Sequence, residues 1–183
     1  MNMWFIGCTH FEHRNIIELA GRPHADIRSM NYDLVSKWNR TVKPCDIVFH
    51  LGDFSFGNAT QMREMLGILL GKKILIRGNH DRGIQAMTNA GFQAVLENAT
   101  IQTPWGSIFL QHRPLYSLDD APMGVVAVVH AHIHRGHKED LERADECTKV
   151  PNFCVNVSSE VVNYMPISLS WIHRQLLDKK ITP

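Results

Sequence analysis

The chain has 183 residues and is almost neutral, with 19 Lys and Arg against 18 Asp and Glu and a formal net charge of +1. Hydrophobic residues make up 44% and charged residues 20%, so the chain can bury a sizeable core and is not of the disordered class. The length predicts a single domain over residues 1–183. The balanced charge argues against a broad nucleic-acid-binding face.

The sequence shows no recognisable signal for export or for membrane insertion. Residues 1–7 lack a basic start and a long apolar run, and no stretch approaches the about 18 consecutive apolar residues of a membrane span. The four cysteines form no Cys-x-x-Cys pair. We therefore expect a cytoplasmic protein without a membrane partner. Its 11 histidines are a dense supply of the commonest metal-binding side chain.

Short apolar runs alternate with segments of helical periodicity, the pattern of an α/β layered domain. Strands are predicted at residues 3–7, 46–50, 73–77, 92–95, 99–103, 107–111 and 125–130. Helices are predicted at residues 31–42, 58–70 with Asn58 as the N-cap, 84–90 and 171–179. Segment 137–149 is interpreted as a solvated surface loop, with the rim of a site as the alternative, and residues 153–171 as two or three closing strands.

Five predicted strands are followed by polar residues that can bind a metal. These ends are Cys8-Thr9-His10, Gly52-Asp53, Gly78-Asn79-His80-Asp81, His112 and His132-Ile133-His134. Ligands of α/β sheets bind beyond the carboxyl ends of the strands, so we expect the five ends to converge. Alternate residues of an extended segment point the same way, which would bring Cys8 beside His10 and His132 beside His134. The glycines before Asp53 and Asn79 allow a close backbone approach.

In these motifs the chain resembles the calcineurin-like metallophosphoesterases, and among them the small single-domain type of bacteria and phages. The family pattern runs Asp-x-His, Gly-Asp, Gly-Asn-His-Asp/Glu, His and Gly-His-x-His, and the resemblance covers about residues 3–170. It implies an α/β (α+β) fold, a four-layer αββα sandwich in which two mixed β-sheets are flanked by helices.

The resemblance also implies a centre of two divalent metal ions, Mn, Fe or Zn. One ion would be held by Cys8, His10, Asp53 and His134, and the other by Asp53, Asn79, His112 and His132. Two cations about 3.5–4 Å apart can lower the pKa of a shared water and orient the resulting hydroxide toward phosphorus. His80 would then protonate the leaving oxygen, and Asp81 would orient His80 through its other ring nitrogen. Asn79, His80, His13 and Arg14 are the candidate contacts to the substrate phosphate, and an exposed helix start is the alternative for the last two.

Two positions depart from the family pattern. Cys8 stands where the family carries Asp, and we consider three alternatives: a thiolate ligand that favours Zn or Fe, a weakened or vacant first metal site, or a buried or redox-sensitive bystander. Ala131 replaces the glycine of the last motif, and we expect this extra methyl group to be tolerated.

The function implied is hydrolysis of a small phosphate ester, with phosphodiesters of a nucleotide-type or broad range preferred because nothing here resembles the additional parts of protein phosphatases. Two alternatives stay open: a phosphomonoesterase with the same site, and a metal-binding module whose catalysis is impaired by Cys8. Nucleic acid is not indicated as a partner beyond nucleotide-type substrates, and the sequence does not set the oligomeric state.

Overall fold

The computed structural model describes residues 1–134 and 150–180, so the predicted surface loop at 137–149 lies outside the described residues. The strands within them are β1 (Met3–Ile6), β2 (Ile47–His50), β3 (Lys72–Ile76), β4 (Ala94–Leu96), β5 (Asn98–Thr103), β6 (Gly106–Gln111), β7 (Val125–His130), β8 (Cys154–Asn156) and β9 (Ile167–Ser168). The helices are α1 (Ile16–Leu19), α2 (Ile27–Thr41), α3 (Ala59–Ile68), α4 (Ile84–Ala90) and α5 (Leu169–Lys180), with a 3₁₀ turn at Leu118–Asp120.

The strands form two mixed sheets flanked by helices, which confirms the predicted fold class. The first sheet has the order β4-β3-β2-β1-β9, with four parallel strands and an antiparallel edge strand, β9. The second has the order β5-β6-β7-β8, in which β5 runs antiparallel and the others are parallel. Helices α2, α3 and α4 lie in the connections between successive parallel strands of the first sheet, as parallel pairing requires.

Helices α2 and α3 each begin at a capped residue and bury one face. The Asp26 carboxylate accepts the backbone N–H of Ser29, so α2 begins earlier than the predicted residue 31. Asn58 caps α3 as predicted, accepting the N–H groups of Thr60 and Gln61. The buried residues recur at helical spacing and fix both helices on the core: Met30, Leu34 and Trp38 in α2, and Met62 and Leu66 in α3. No described helix has the length and apolar character to cross a membrane.

The tail has two strands, within the two or three predicted, and both are short. Of the two or three strands expected at 153–171, the structure has the short strands β8 and β9, and α5 begins at residue 169 rather than 171. The chain between these strands turns, since Asn163 and Tyr164 have φ of 53° and 61°. The alternating apolar residues between β8 and β9 are therefore buried by a turn rather than by a strand.

The two sheets meet at the end of β1. The Gly7 N–H donates to the Val157 carbonyl at 2.9 Å, and the Ser159 N–H donates to the Gly7 carbonyl at 3.0 Å. A Cβ on Gly7 would lie 2.5 Å from the Cβ of Ala131, so the Ala131 methyl group occupies the space that a side chain at position 7 would need. This junction places the ends of β1 and β7 side by side.

Candidate metal centre

The residues after five parallel strands, three in the first sheet and two in the second, come together at one edge of the molecule. They follow β1, β2, β3, β6 and β7. The structure brings together all seven side chains predicted as metal ligands, in two clusters that share Asp53: Cys8, His10, Asp53, Asn79, His112, His132 and His134. The Cys8 Sγ lies within 4.8 Å of ligand atoms of both clusters, since it groups with His10 and His134 and also with Asp53 and His112. The convergence expected from the strand ends is therefore present in the fold.

The backbone that presents these side chains is not extended, contrary to the expectation from alternation. The φ angles are 51° at Cys8, 50° at His10, 57° at Asp53 and 68° at His132. Residues with a Cβ rarely adopt this left-handed region, and each such residue costs of order 1–3 kcal/mol. Tight turns directly after the strands, rather than strand periodicity, aim the side chains inward.

The first cluster contains Cys8, His10 and His134, whose ligand atoms all lie within 4.8 Å of one another. Cys8 is fully buried, and its Sγ accepts the backbone N–H of His132 at 3.2 Å. Burial raises the pKa of the Cys8 thiol and lowers that of His10. Burial also disfavours the charged form of His134, but Cys8 and the Glu160 carboxylate outweigh it and raise the pKa of His134.

The second cluster surrounds Nε2 of His112. The His112 Nδ1–H donates to the Leu51 carbonyl at 2.7 Å, which leaves Nε2 to face the cluster. Nε2 lies 3.1 Å from Asn79 Oδ1, 3.2 Å from His132 Nδ1 and 3.3 Å from Asp53 Oδ2. Burial, followed by the charge of His112, lowers the pKa of His132 to about 4.

Asp53 Oδ2 lies between the two clusters, 3.8 Å from His10 Nε2 and 3.3 Å from His112 Nε2. Burial would raise the pKa of Asp53, but the hydrogen bond and charge of His112 and the charge of His10 hold it well below the usual range. Gly52, with φ of 87°, and Gly78 allow this approach. A Cβ on Gly52 would clash with the His112 ring, and one on Gly78 with the Asp53 carboxylate.

These donors fit divalent cations. In the second cluster, His112 Nε2 lies 3.1 Å from an oxygen of Asn79 and 3.3 Å from one of Asp53, contacts that are favourable only with a proton or a cation between the atoms. In the first cluster, both ring nitrogens of buried His10 lack a hydrogen-bond partner within residues 1–134 and 150–180, and buried polar atoms normally have one. Imidazole, thiolate and carboxylate are all side-chain donors to divalent metal ions.

Asp81 has a different role from the one predicted. Its buried carboxylate accepts three backbone N–H groups: those of Asp53 and Gly78 on Oδ2, both at 2.8 Å, and that of Phe54 on Oδ1 at 2.9 Å. Burial raises the pKa of Asp81. The carboxylate therefore fixes the loops after β2 and β3 relative to each other, and the hydrogen bonds described for it go to the backbone rather than to the ring of His80.

His80 lies at the exposed rim of the first cluster. Its ring centroid is 5.9 Å from that of His10 and 5.2 Å from that of Phe56. Its backbone N–H donates to Asp53 Oδ1 at 2.9 Å, so the carboxylate between the clusters also positions this residue. An exposed imidazole at the rim can meet a substrate that enters from solvent.

The two basic residues after the first motif have different positions. His13 lies at the rim, stacked on Phe56 with 3.8 Å between centroids and 15° between planes, and burial lowers its pKa. Arg14 is exposed ahead of α1, and its guanidinium has no hydrogen bond or ion pair with the described part of the chain. Phe56, which is 43% exposed, was not identified from the sequence. It forms a wall of the rim against His10, His13 and His80.

A buried ion pair behind the first cluster was also missed. Arg22 and Glu160 are joined by a 2.7 Å contact, and their side chains are 0% and 4% exposed. Glu160 Oε2 accepts from His134 Nδ1 at 3.1 Å, while Arg22 donates to the carbonyls of Cys8 and Thr9 at 2.7 and 2.8 Å. The pair thus ties a candidate ligand after β7 to the loop after β1, as outer partners of metal ligands do.

Comparison with known proteins identifies the family. Residues 1–154 match the calcineurin-like phosphoesterase superfamily domain. An uncharacterized protein of Methanocaldococcus jannaschii is 32% identical over 183 residues, which cover 98% of this chain and 93% of that protein. The gene 66 protein of Mycobacterium phage D29 is 37% identical over 87 residues, 44% of this chain and 41% of its own.

A crystal structure of a protein of unknown function from Aquifex aeolicus shares the fold, with a TM-score of 0.72 and 25% identity over 94% of this chain and 98% of that one. The chain belongs to the calcineurin-like phosphoesterase superfamily. It is therefore a metal-dependent phosphoesterase in its general class.

Replacing Cys8 with aspartate is expected to shift metal activation toward harder ions. A thiolate favours Zn or Fe, whereas a carboxylate favours Mn, so the ratio of Mn-supported to Zn-supported turnover should rise by at least about tenfold, the scale on which changes around a metal alter its affinity. Turnover by metal-free Cys8→Asp and wild-type protein, each reconstituted with Mn, Zn or Fe, measures this ratio. Cys45→Asp at an exposed free cysteine is the control. Identical metal profiles for the Cys8→Asp and wild-type proteins would exclude Cys8 as a ligand.

Proposed function

We propose that this chain hydrolyses phosphodiesters, using two divalent cations held by the two clusters that share Asp53. The proposal is supported mainly by the position of Asp53 Oδ2. This oxygen lies 3.8 Å from His10 Nε2 in the first cluster and 3.3 Å from His112 Nε2 in the second. A single carboxylate oxygen facing two sets of acceptors is suited to bridge two cations.

The two cations would activate the attacking water and neutralise charge on the phosphoryl oxygens. The residues of the chain hold and shape the site around them. Asn79 points its amide oxygen into the second cluster, Asp81 fixes the backbone that carries Asp53, and Phe56 bounds the rim on the side of the first cluster. Each side chain is therefore positioned before a substrate arrives.

His80 is the residue best placed to protonate the leaving oxygen. It is exposed at the rim, and its backbone is held by Asp53 Oδ1, so its imidazole can reach an ester oxygen on the solvent side of the cations. Proton transfer from a positioned imidazole contributes about 10²–10⁴-fold to the rate of such a reaction.

The preference for diesters is supported by space next to the second cluster. An open hollow of about 270 Å³ is bounded on one side by Asn79 and His112. A phosphodiester has one more ester substituent than a monoester, and that substituent needs room beside the phosphate. A monoester would place its single substituent either in this hollow or toward solvent, whereas a diester would use both directions.

Relative rates on p-nitrophenyl phosphate and bis(p-nitrophenyl) phosphate test the proposal. Protein purified without added metal is analysed for its elements, stripped, and reconstituted with Mn, Zn or Fe. We expect turnover of both esters to require metal and the diester to react faster. A faster monoester would establish the phosphomonoesterase alternative, and metal binding without turnover of either ester would establish a metal-binding module.

The change His80→Ala is expected to lower diester turnover by about 10²–10⁴-fold while metal content stays the same, because the ring is at the rim rather than inside a cluster. Turnover and elemental analysis on the same sample give the two readouts. His173→Ala, which removes a ring that stacks on Trp105 at 4.8 Å, is the matched control. Full activity of the His80→Ala protein would rule out the proton-donor role.

A further inference from the structure

The hollow beside the second cluster has a charged lining that metal binding does not explain. Its inner wall includes Asn79 and His112, which belong to the second cluster, and its remaining side chains are polar or charged: Arg77, Glu97, Gln111 and Arg113. Because the hollow opens directly from the second cluster, a group attached to a phosphate bound there would enter it.

The two arginines differ in how far their charges are balanced. Arg77 Nε donates to Glu97 Oε1 at 2.8 Å, which balances one of the two positive charges. Gln111 binds the Arg113 backbone carbonyl at 2.6 Å. Within residues 1–134 and 150–180, the Arg113 guanidinium itself has no hydrogen bond or ion pair. The hollow thus presents one unbalanced guanidinium next to the place where a substrate phosphate would bind.

We propose that this hollow is a subsite for a second phosphate group of the substrate, bound by Arg113 with the support of Arg77. The inference rests on the proposed function and narrows its substrate class to phosphodiesters that carry a further phosphate on one ester substituent. A guanidinium matches the geometry of a phosphate group with parallel, charge-assisted hydrogen bonds. An uncharged substituent would offer the Arg113 guanidinium no anionic partner.

A matched pair of substrates tests the subsite. One is the p-nitrophenyl ester of thymidine 5′-phosphate, and the other is the same ester with an additional 3′-phosphate. Both release p-nitrophenol from the same bond, so the ratio of their kcat/KM values isolates the effect of the second phosphate. We expect the wild-type protein to prefer the phosphorylated ester by about tenfold, the scale of a charge-assisted hydrogen bond.

Replacement of Arg113 with glutamine should abolish this preference, so that the ratio falls about tenfold toward one. Arg63→Gln, which removes an exposed guanidinium from α3, should keep the wild-type ratio. A wild-type protein without preference, or an Arg113→Gln protein that retains it, would overturn the subsite.

A binding measurement separates failure of the subsite from failure of the proposed function. If neither ester is hydrolysed with any metal, the proposed function is wrong, and the subsite is then judged by calorimetric titration with thymidine 3′,5′-bisphosphate and thymidine 5′-monophosphate. Binding of the bisphosphate about tenfold more tightly, with the difference lost in the Arg113→Gln protein, would support the subsite. Equal binding of the two nucleotides to the wild-type protein would refute it.

Discussion

Replacing Asp53 with asparagine is expected to remove phosphoesterase activity and to leave at most one bound metal ion per chain. The carboxylate oxygen faces both clusters, and a neutral amide does not offer a charged oxygen to two cations. Loss of an outer partner of a metal ligand already costs about 10–100-fold, so loss of the shared ligand should lower diester turnover by more than about 100-fold.

The asparagine variant keeps the local structure, which makes the result interpretable. Asn retains an oxygen that can accept the His80 N–H, now bound by Asp53 Oδ1 at 2.9 Å, so this loop keeps its backbone partner, and thermal unfolding of the metal-free variant checks that it is folded. Asp120→Asn, at an exposed aspartate of the 3₁₀ turn, controls for the loss of one negative charge. An Asp53→Asn protein with two bound metal ions and normal turnover would contradict the bridging role.

Replacing Glu160 with alanine is expected to lower the free energy of unfolding by about 3–5 kcal/mol, because it leaves the guanidinium of Arg22 buried without its partner. It also removes the acceptor of His134 Nδ1, so metal affinity at the first cluster should fall by about 10–100-fold. Chemical denaturation of the metal-free protein measures the first effect, and metal titration measures the second. Glu97→Ala, which breaks a more exposed Arg–Glu pair, should destabilise far less.

A double variant separates folding from ligand positioning. Arg22→Met with Glu160→Leu removes both buried charges, and replacing such a pair by apolar residues of similar size is often neutral or stabilising. We expect this protein to recover only part of the lost stability, because the Cys8 and Thr9 carbonyls lose their Arg22 donors. Its first-cluster metal affinity should stay low, because the Glu160 carboxylate no longer accepts from His134 Nδ1. If metal affinity returned together with stability, Glu160 would be a purely structural residue.

The fold was predictable where local sequence and tertiary packing agree. The apolar runs that became β1, β2, β3, β6 and β7 were placed within about one residue, and Asn58 was recognised as a cap because its side chain acts on its own neighbours. The tail was less predictable, since residues that alternate in polarity can be buried by a turn as well as by a strand. Helix α1, with four residues, is too short to produce a periodic signal.

Site residues could be proposed from the sequence because each follows a strand of a parallel sheet, where chain direction alone brings the ends together. The backbone turns that aim these side chains at one another could not be predicted in the same way. The left-handed φ angles of Cys8 and His10 depend on turns whose partners lie after β2, through the bonds Cys8 N–H to Gly52 O and His10 N–H to Asp53 O. These two hydrogen bonds form only after β1 and β2 have paired, so they could not be predicted from the residues next to Cys8 and His10.

The residues that were missed act over long sequence separations. Arg22 and Glu160 are 138 positions apart, and neither belongs to a motif that predicts a buried ion pair. One signal was available: Glu160 follows a strand, β8, that is parallel to β7, so the rule used for the other five strand ends also applied to it. Asp81 was assigned to His80 because they are neighbours in sequence, whereas three backbone N–H groups meet its carboxylate in space.

A combined titration and assay decides whether the site acts with two metal ions. Metal-free protein is titrated with Mn²⁺ or Zn²⁺ while hydrolysis of bis(p-nitrophenyl) phosphate and the amount of bound metal are followed together. The two clusters sharing Asp53 predict that turnover rises with occupancy and reaches its maximum at two ions per chain. Full occupancy with Mn or Zn and no turnover, or turnover that survives complete removal of metal, would show that this site is not a dinuclear phosphodiesterase centre.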